Sequence, residues 1–221
     1  RRLKIPRIEI LISRGQFASS DAWAQLRAQM LDAVRGAEWP PGSGSFNIRP
    51  ESGKKRGEGN GVKPIKDRTV AMLTDGRVYG EIKKRGLTDH RGTWVSEHPW
   101  PVGERGRPGN MDAAHVLGDG GIVCLEWETG KVSSSHRSMN KMCLGLLQGA
   151  IKAGVLVVPS KALYPYLTDR IGNVAELEPY FPLWRATPCD EGVLEVVVIE
   201  HDAEDPNAPR IPKGTDGRAV V

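Results

Sequence analysis

The chain has 221 residues, 39% of them hydrophobic, which is enough to bury one large core and leads us to expect a single domain over 1–221. No run of ~18 apolar residues occurs, which excludes a membrane-spanning helix from the sequence. Three widely spaced cysteines exclude a disulfide framework and a CxxC metal site, so a reducing cytoplasm is the expected compartment; the net charge of +4 allows a polyanionic partner without requiring one.

The opening Arg1–Pro6 is too short and interrupted to be a signal peptide, and without an initiator Met some leading residues are expected to be missing. Ile8 to Ile12 forms a short apolar stretch. Ser19-Ser20-Asp21 offers N-cap chemistry to a helix in which Trp23, Leu26, Met30 and Ala33 recur, closed by Gly36 and Pro40-Pro41. Residues 40–62 read as loop with one short strand at Ser45 to Ile48. Lys66 to Leu73 is a second predicted helix, and Gly76 to Arg91 a basic loop. Basic residues gather at Lys54, Lys55, Arg56 and Lys63 and again at Lys83-Lys84-Arg85; these are solvated loops unless they flank a site. Pro99 to Asn110 is expected to be irregular.

Ile122 to Glu128 then reads as a strand, followed by Thr129-Gly130 and the triplet Ser133 to Ser135, which suits a helix start. Behind it Met139, Met142, Cys143, Leu146 and Leu147 form a helical stripe, expected in the core or at a dimer interface. Gly154 to Pro159 is a continuous apolar run, as in a strand covered on both faces. A short helix near Lys161 to Tyr166 and a strand at Val193 to Glu200 follow, and the tail from Ala203 has no periodicity.

Chemistry concentrates in the strand at 122–128. Residues two apart on a strand share a face, so Glu126 and Glu128 project together while Leu125 and Trp127 pack behind. Paired carboxylates on an apolar strand repel, and a hard divalent cation such as Mg2+ relieves that cost. Asp112 lies 14 residues upstream of Glu126, enough for one strand and a turn to return beside it. Asp followed by Glu-x-Glu across two such strands is a metal-dependent nuclease layout, although Glu-x-Glu alone more often marks a solvated face. The glycine turn, small hydroxyls and Arg137 that follow suit a helix start facing DNA phosphate, and Arg is the commonest bidentate reader of guanine.

Glu126-Trp127-Glu128-Thr129-Gly130 with Ser133 to Lys141 resembles the catalytic strand and following helix of the BamHI/OkrAI-like type II restriction endonucleases. The resemblance continues in Tyr166 to Arg170, Glu176 to Phe181, Ile211 to Gly217 and, upstream, Asn60 to Lys66. It implies an α/β fold with a central mixed sheet flanked by helices, in the PD-(D/E)XK superfamily. It also implies a homodimer that grips double-stranded DNA in a cleft, cutting a short palindrome with Mg2+.

By position, the resemblance makes Asp112 and Glu126 metal ligands, with the Trp127 carbonyl and Glu97 as further ones. Glu128 stands where many nucleases of the superfamily carry Lys, giving an ExE variant, and would orient or deprotonate the attacking water. Lys66 resembles a phosphate contact. Ser133, Arg137, Asp169 and Arg170 resemble the base-reading set, and Asp216 with Gly217 a segment reaching the minor groove. At Lys131 the family carries Asn; lysine only donates, so it either reads guanine or turns to a phosphate, which leaves the inner base pair open. His136 reads as a helix-surface or dimer contact, and His90, His98, His115 and His201 show no zinc spacing. A repair nuclease on the same frame would share the carboxylates without the reading residues. A silent DNA-binding module would gain nothing from acids facing phosphate.

Overall fold

Continuous and alternating apolar runs pair into a six-stranded sheet in the computed structural model, which describes residues 3–55, 57–86, 89–101, 109–168 and 172–213. In chain order the elements are β1 (Lys4–Arg14), α1 (Gly15–Ala18), α2 (Asp21–Arg35), β2 (Asn47–Ile48), α3 (Lys63–Thr74), α4 (Tyr79–Lys84) and β3 (Trp94–Pro99). There follow β4 (Asn110–Val116), β5 (Ile122–Trp127), α5 (Val132–Leu147), β6 (Ala153–Pro159), α6 (Val174–Leu177), α7 (Phe181–Arg185), β7 (Gly192–Glu200) and β8 (Ala203–Glu204). The sheet order is β1-β7-β6-β5-β4-β3. Strands β5, β6 and β7 are mutually parallel, and β1, β4 and β3 run antiparallel to their neighbours. This is the mixed central sheet the sequence led us to expect.

Parallel central strands need cover on both faces, and β6 shows why its sequence is apolar throughout. Val155 and Val157 face a core shared with Trp23 and Met30 of α2 and Ile65 of α3. Leu156 and Val158 face a second core built with Met139, Met142 and Leu146 of α5 and Trp184 of α7. Three members of the α5 stripe are therefore committed to the sheet, not to a partner. The large apolar residues that α5 leaves exposed are Leu144 (37%) and Leu147 (52%).

Several elements differ from the sequence reading. The short stretch at Ile8 to Ile12 is part of an eleven-residue edge strand, β1, which tolerates Pro6 because a register shift falls between Lys4 and Arg7. The basic segment Gly76 to Arg91 contains α4, a helix too short to stand alone, whose Tyr79 packs on His90 and His98. The predicted helix near Lys161 to Tyr166 is a 3-10 turn, Tyr164–Tyr166. The N-cap of α5 is Lys131, with no side-chain cap bond, and the serines fall inside the first turn. Among the described residues no helix is long and apolar enough to cross a membrane.

Candidate active site

Strands β4 and β5 pair with Ala113 opposite Leu125, which sets Asp112 and Glu126, one residue further along each, side by side. Both are buried, at 9% and 4% exposure. Asp112 accepts the Trp127 amide at 2.8 Å on Oδ2, and its Oδ1 contacts the Lys66 ammonium from α3. Glu126 accepts the Trp100 indole N–H at 3.0 Å, and Lys141 of α5 brings its Nζ to 4.0 Å. The same ammonium lies 4.7 Å from the Trp100 ring centre. Glu128, just past the end of β5, keeps the ladder through its N–H to Val157 O at 2.9 Å and accepts the Ser138 hydroxyl at 2.7 Å.

These contacts do not neutralise the site. Burial, reinforced by Asp112 and then Glu128, pushes the Glu126 carboxyl up to about 8 despite Lys141 and Trp100. Burial also raises Glu128, against the Ser138 hydrogen bond. Lys66 is pulled the other way: desolvation opposes its charge, but Asp112, with Glu126 and Glu97, more than offsets this and holds its pKa up. A bound cation beside Glu126 would favour the ionised carboxylate that burial and the neighbouring Asp112 disfavour.

Glu97 sits on β3 in a left-handed conformation (φ 56°), exposed, with its carboxylate accepting from Asn110 at 3.1 Å. It is close enough to support Lys66 but does not join Asp112 and Glu126. Among the described residues no three His, Cys, Asp or Glu side chains form a ready cation cage. At the N-terminal end of α5, which follows β5, the N-cap Lys131 and the helical residues Ser133 and Arg137 are all exposed. Asp169, Arg170, Asp216 and Gly217 lie outside the described residues. Just beyond the first pair, the Gly172 amide donates to Gly130 O at 2.9 Å, which brings the chain back to the start of α5.

The family model described as "Restriction endonuclease BamHI" matches residues 3–218. The chain belongs to the BamHI family of restriction endonucleases. It is 43% identical over 218 residues to the type II restriction enzyme OkrAI of Oceanobacter kriegii, covering 99% of this chain and 100% of that one. It is 35% identical over 184 residues to the type II restriction enzyme BamHI of Bacillus amyloliquefaciens, covering 81% and 75%.

Within this BamHI-family chain, sequence reasoning overlooked three side chains that touch the carboxylates. Ser138 and Lys141 stand three apart on α5, and Ser138 is 1% exposed beside the apolar stripe. A polar i, i+3 pair breaking a buried helix face was the available signal. Trp100 carried none, since nothing in the Pro-rich stretch after it hints at a partner in β5.

Proposed function

We propose that the chain is a type II site-specific deoxyribonuclease: a single-domain, cytoplasmic homodimer that hydrolyses phosphodiester bonds in double-stranded DNA with Mg2+ at GGATCC or a GGNNCC relative. The observation that carries this reading is the buried Asp112–Glu126 pair on the sheet face that also presents Glu128 and meets α5, with burial and Asp112 raising the Glu126 carboxyl. The names of the two relatives support it.

Restriction enzymes of this type use a divalent metal, and the donor set fits a hard one because it is all oxygen. Asp112, Glu126 and the Trp127 carbonyl would hold it, and Glu97 would join on turning away from Asn110. When bound, such an ion polarises the scissile phosphate and acidifies a water. Glu128, half-buried and held by Ser138, would orient the attacking water and take up its proton. Lys66 offers its ammonium to a phosphate oxygen. Arg137 and Arg170 supply the bidentate donors that guanine O6 and N7 require, and Asp169 accepts from cytosine N4, which argues for G·C outer pairs.

The test is digestion of a plasmid carrying GGATCC in Mg2+, with the fragment ends sequenced. Discrete bands ending at one palindrome are expected, and Glu126→Ala should shift the same DNA on a gel without cutting it. A smear, or cutting that survives Glu126→Ala, defeats the reading.

A further inference from the structure

Asn60 lies away from the carboxylates, in the loop of residues 49–61, and is fully buried at 0% exposure. Both of its amide protons and its side-chain oxygen are engaged. Nδ2 donates to the carbonyls of Arg49 and Tyr166, at 2.9 Å each, and Oδ1 accepts the Ile211 amide at 3.2 Å. Its backbone adds an N–H to Tyr166 O and accepts the Thr168 amide, both at 2.8 Å, forming a parallel bridge with Leu167. One side chain thus ties together segments 106 and 151 residues away in sequence.

The loop around it leaves no slack. A Cβ on Gly53 would stand 1.4 Å from Leu167 O, and one on Gly61 would stand 1.9 Å from Pro212 O. The atoms in the way are backbone, so a larger residue must push the segments apart. The Gly53 amide donates to Pro165 O and the Gly61 amide to Ile211 O, each at 2.9 Å. Outside this crossing, Arg210 pairs with Glu51 at 2.5 Å and donates to Gly57 O at 2.9 Å, and the Lys213 ammonium donates to Glu58 O at 2.8 Å.

The segments that leave this knot are the reason it bears on function. Directly after Thr168 come Asp169 and Arg170, and shortly after Lys213 come Asp216 and Gly217. Every polar atom of this buried amide is matched to a backbone group, so a change to any one of them leaves a partner unpaired. Hydrogen bonds fix direction as well as distance, which apolar contacts do not. We infer that Asn60 is a positioning residue for DNA reading, fixing Thr168 and Ile211, just ahead of the proposed reading residues in sequence, relative to each other. This rests on the reading roles proposed above for Asp169 and Arg170 and on the role that the family resemblance implies for Asp216.

The experiment compares cleavage of a duplex carrying GGATCC with one in which a single outer base pair is changed. Asn60→Asp keeps an oxygen for the Ile211 amide but turns a second oxygen against the Arg49 and Tyr166 carbonyls. We expect kcat/KM on GGATCC to fall about tenfold or more and the ratio between the two duplexes to shrink about tenfold, the worth of one misplaced base contact. Leu26→Ala, a core truncation in α2, should lower stability yet keep the ratio. Where Asn60→Asp fails to give folded protein, Gly61→Ala replaces it, because it wedges Pro212 aside while leaving every hydrogen-bonding side chain in place. An unchanged ratio in these variants, or an equal loss in Leu26→Ala, overturns the inference. A wild-type chain with no preference between the duplexes is a separate result: it refutes the assigned readers and removes this inference with them.

Discussion

Lys66 sets its ammonium against Oδ1 of Asp112 while the other oxygen of the same carboxylate holds the Trp127 amide. Both oxygens of a buried acid are thus in use, one by a backbone that cannot leave and one by a flexible lysine that can. The lysine side chain remains 34% exposed, so exchange with a mobile cation needs only rotation of its stem.

Lys66→Ala should separate two roles. Divalent-ion binding to the DNA-free protein, measured by calorimetry, should tighten, because the competing ammonium is gone. Cleavage should fall by about 10- to 100-fold. The slope of log K against log salt for DNA should decrease by about 1, because one fewer phosphate is neutralised. Weaker metal binding in the variant would show that Lys66 supports the ion and does not compete with it.

Glu126 is expected to make the metal-free protein sensitive to alkali. Its carboxyl moves from an ordinary 4.5 to about 8 on folding, chiefly by burial. The native state therefore binds this proton more tightly than the unfolded chain. Stability from this group is complete at low pH and is lost as pH climbs from 4.5 through 8. Glu126→Gln should flatten the fall in Tm between about pH 5 and 8 and raise Tm at about pH 8 by roughly 2–6 °C. Mg2+ should raise Tm there in the wild type and not in the variant. An identical pH slope in both proteins would remove Glu126 as the cause.

Ser138 is expected to act through Glu128. Its hydroxyl is the main influence opposing the upward push of burial on that carboxyl, so removing it should raise Glu128 further. For Ser138→Ala the acid limb of the kcat–pH profile should move to higher pH, with kcat near pH 7 down about 3- to 10-fold and KM little changed. A KM effect with an unshifted profile would assign Ser138 to DNA binding instead.

Leu144 and Leu147 of α5 are exposed, as are Tyr180 (46%) and Leu183 (65%). Of these, Leu144 and Tyr180 line a groove of about 650 Å3 together with His136, Arg137 and Lys141. Leu144→Asp combined with Leu147→Asp should convert a dimer to a monomer by light scattering and abolish cutting, because a palindrome is read by a two-fold pair. A wild-type monomer that stays monomeric on specific DNA would contradict the assembly.

Lys131, exposed at the head of α5, is the residue expected to bear on the inner base pair of the proposed site. Mapping the cuts of the native chain and of Lys131→Asn should reveal a change of preference of about 10- to 100-fold at the inner base pair. Equal rates at GGATCC alone for both would place the lysine on a phosphate.

The pairing of Glu126 with Glu128 was legible because a strand's pleat depends on nothing beyond its own residues. Asp112 was legible because 14 residues suffice for a strand and a turn to come back beside Glu126, and the head of α5 followed from the glycine turn and the helix period. The strand β3 was not, because its few apolar residues pair with β4 only once the sheet exists. Trp100 meets Glu126 across 26 residues, Lys141 reaches it from a helix on the sheet's face, and Asn60 bonds two distant segments at once. Local sequence sets the period and the face of each element through steric and hydrogen-bonding rules that act over a few residues. Which polar groups end up within hydrogen-bonding reach of one another, how they shift each other's protons, and whether a buried amide finds all its partners depend on register and packing across the whole core, so only the tertiary structure decided them.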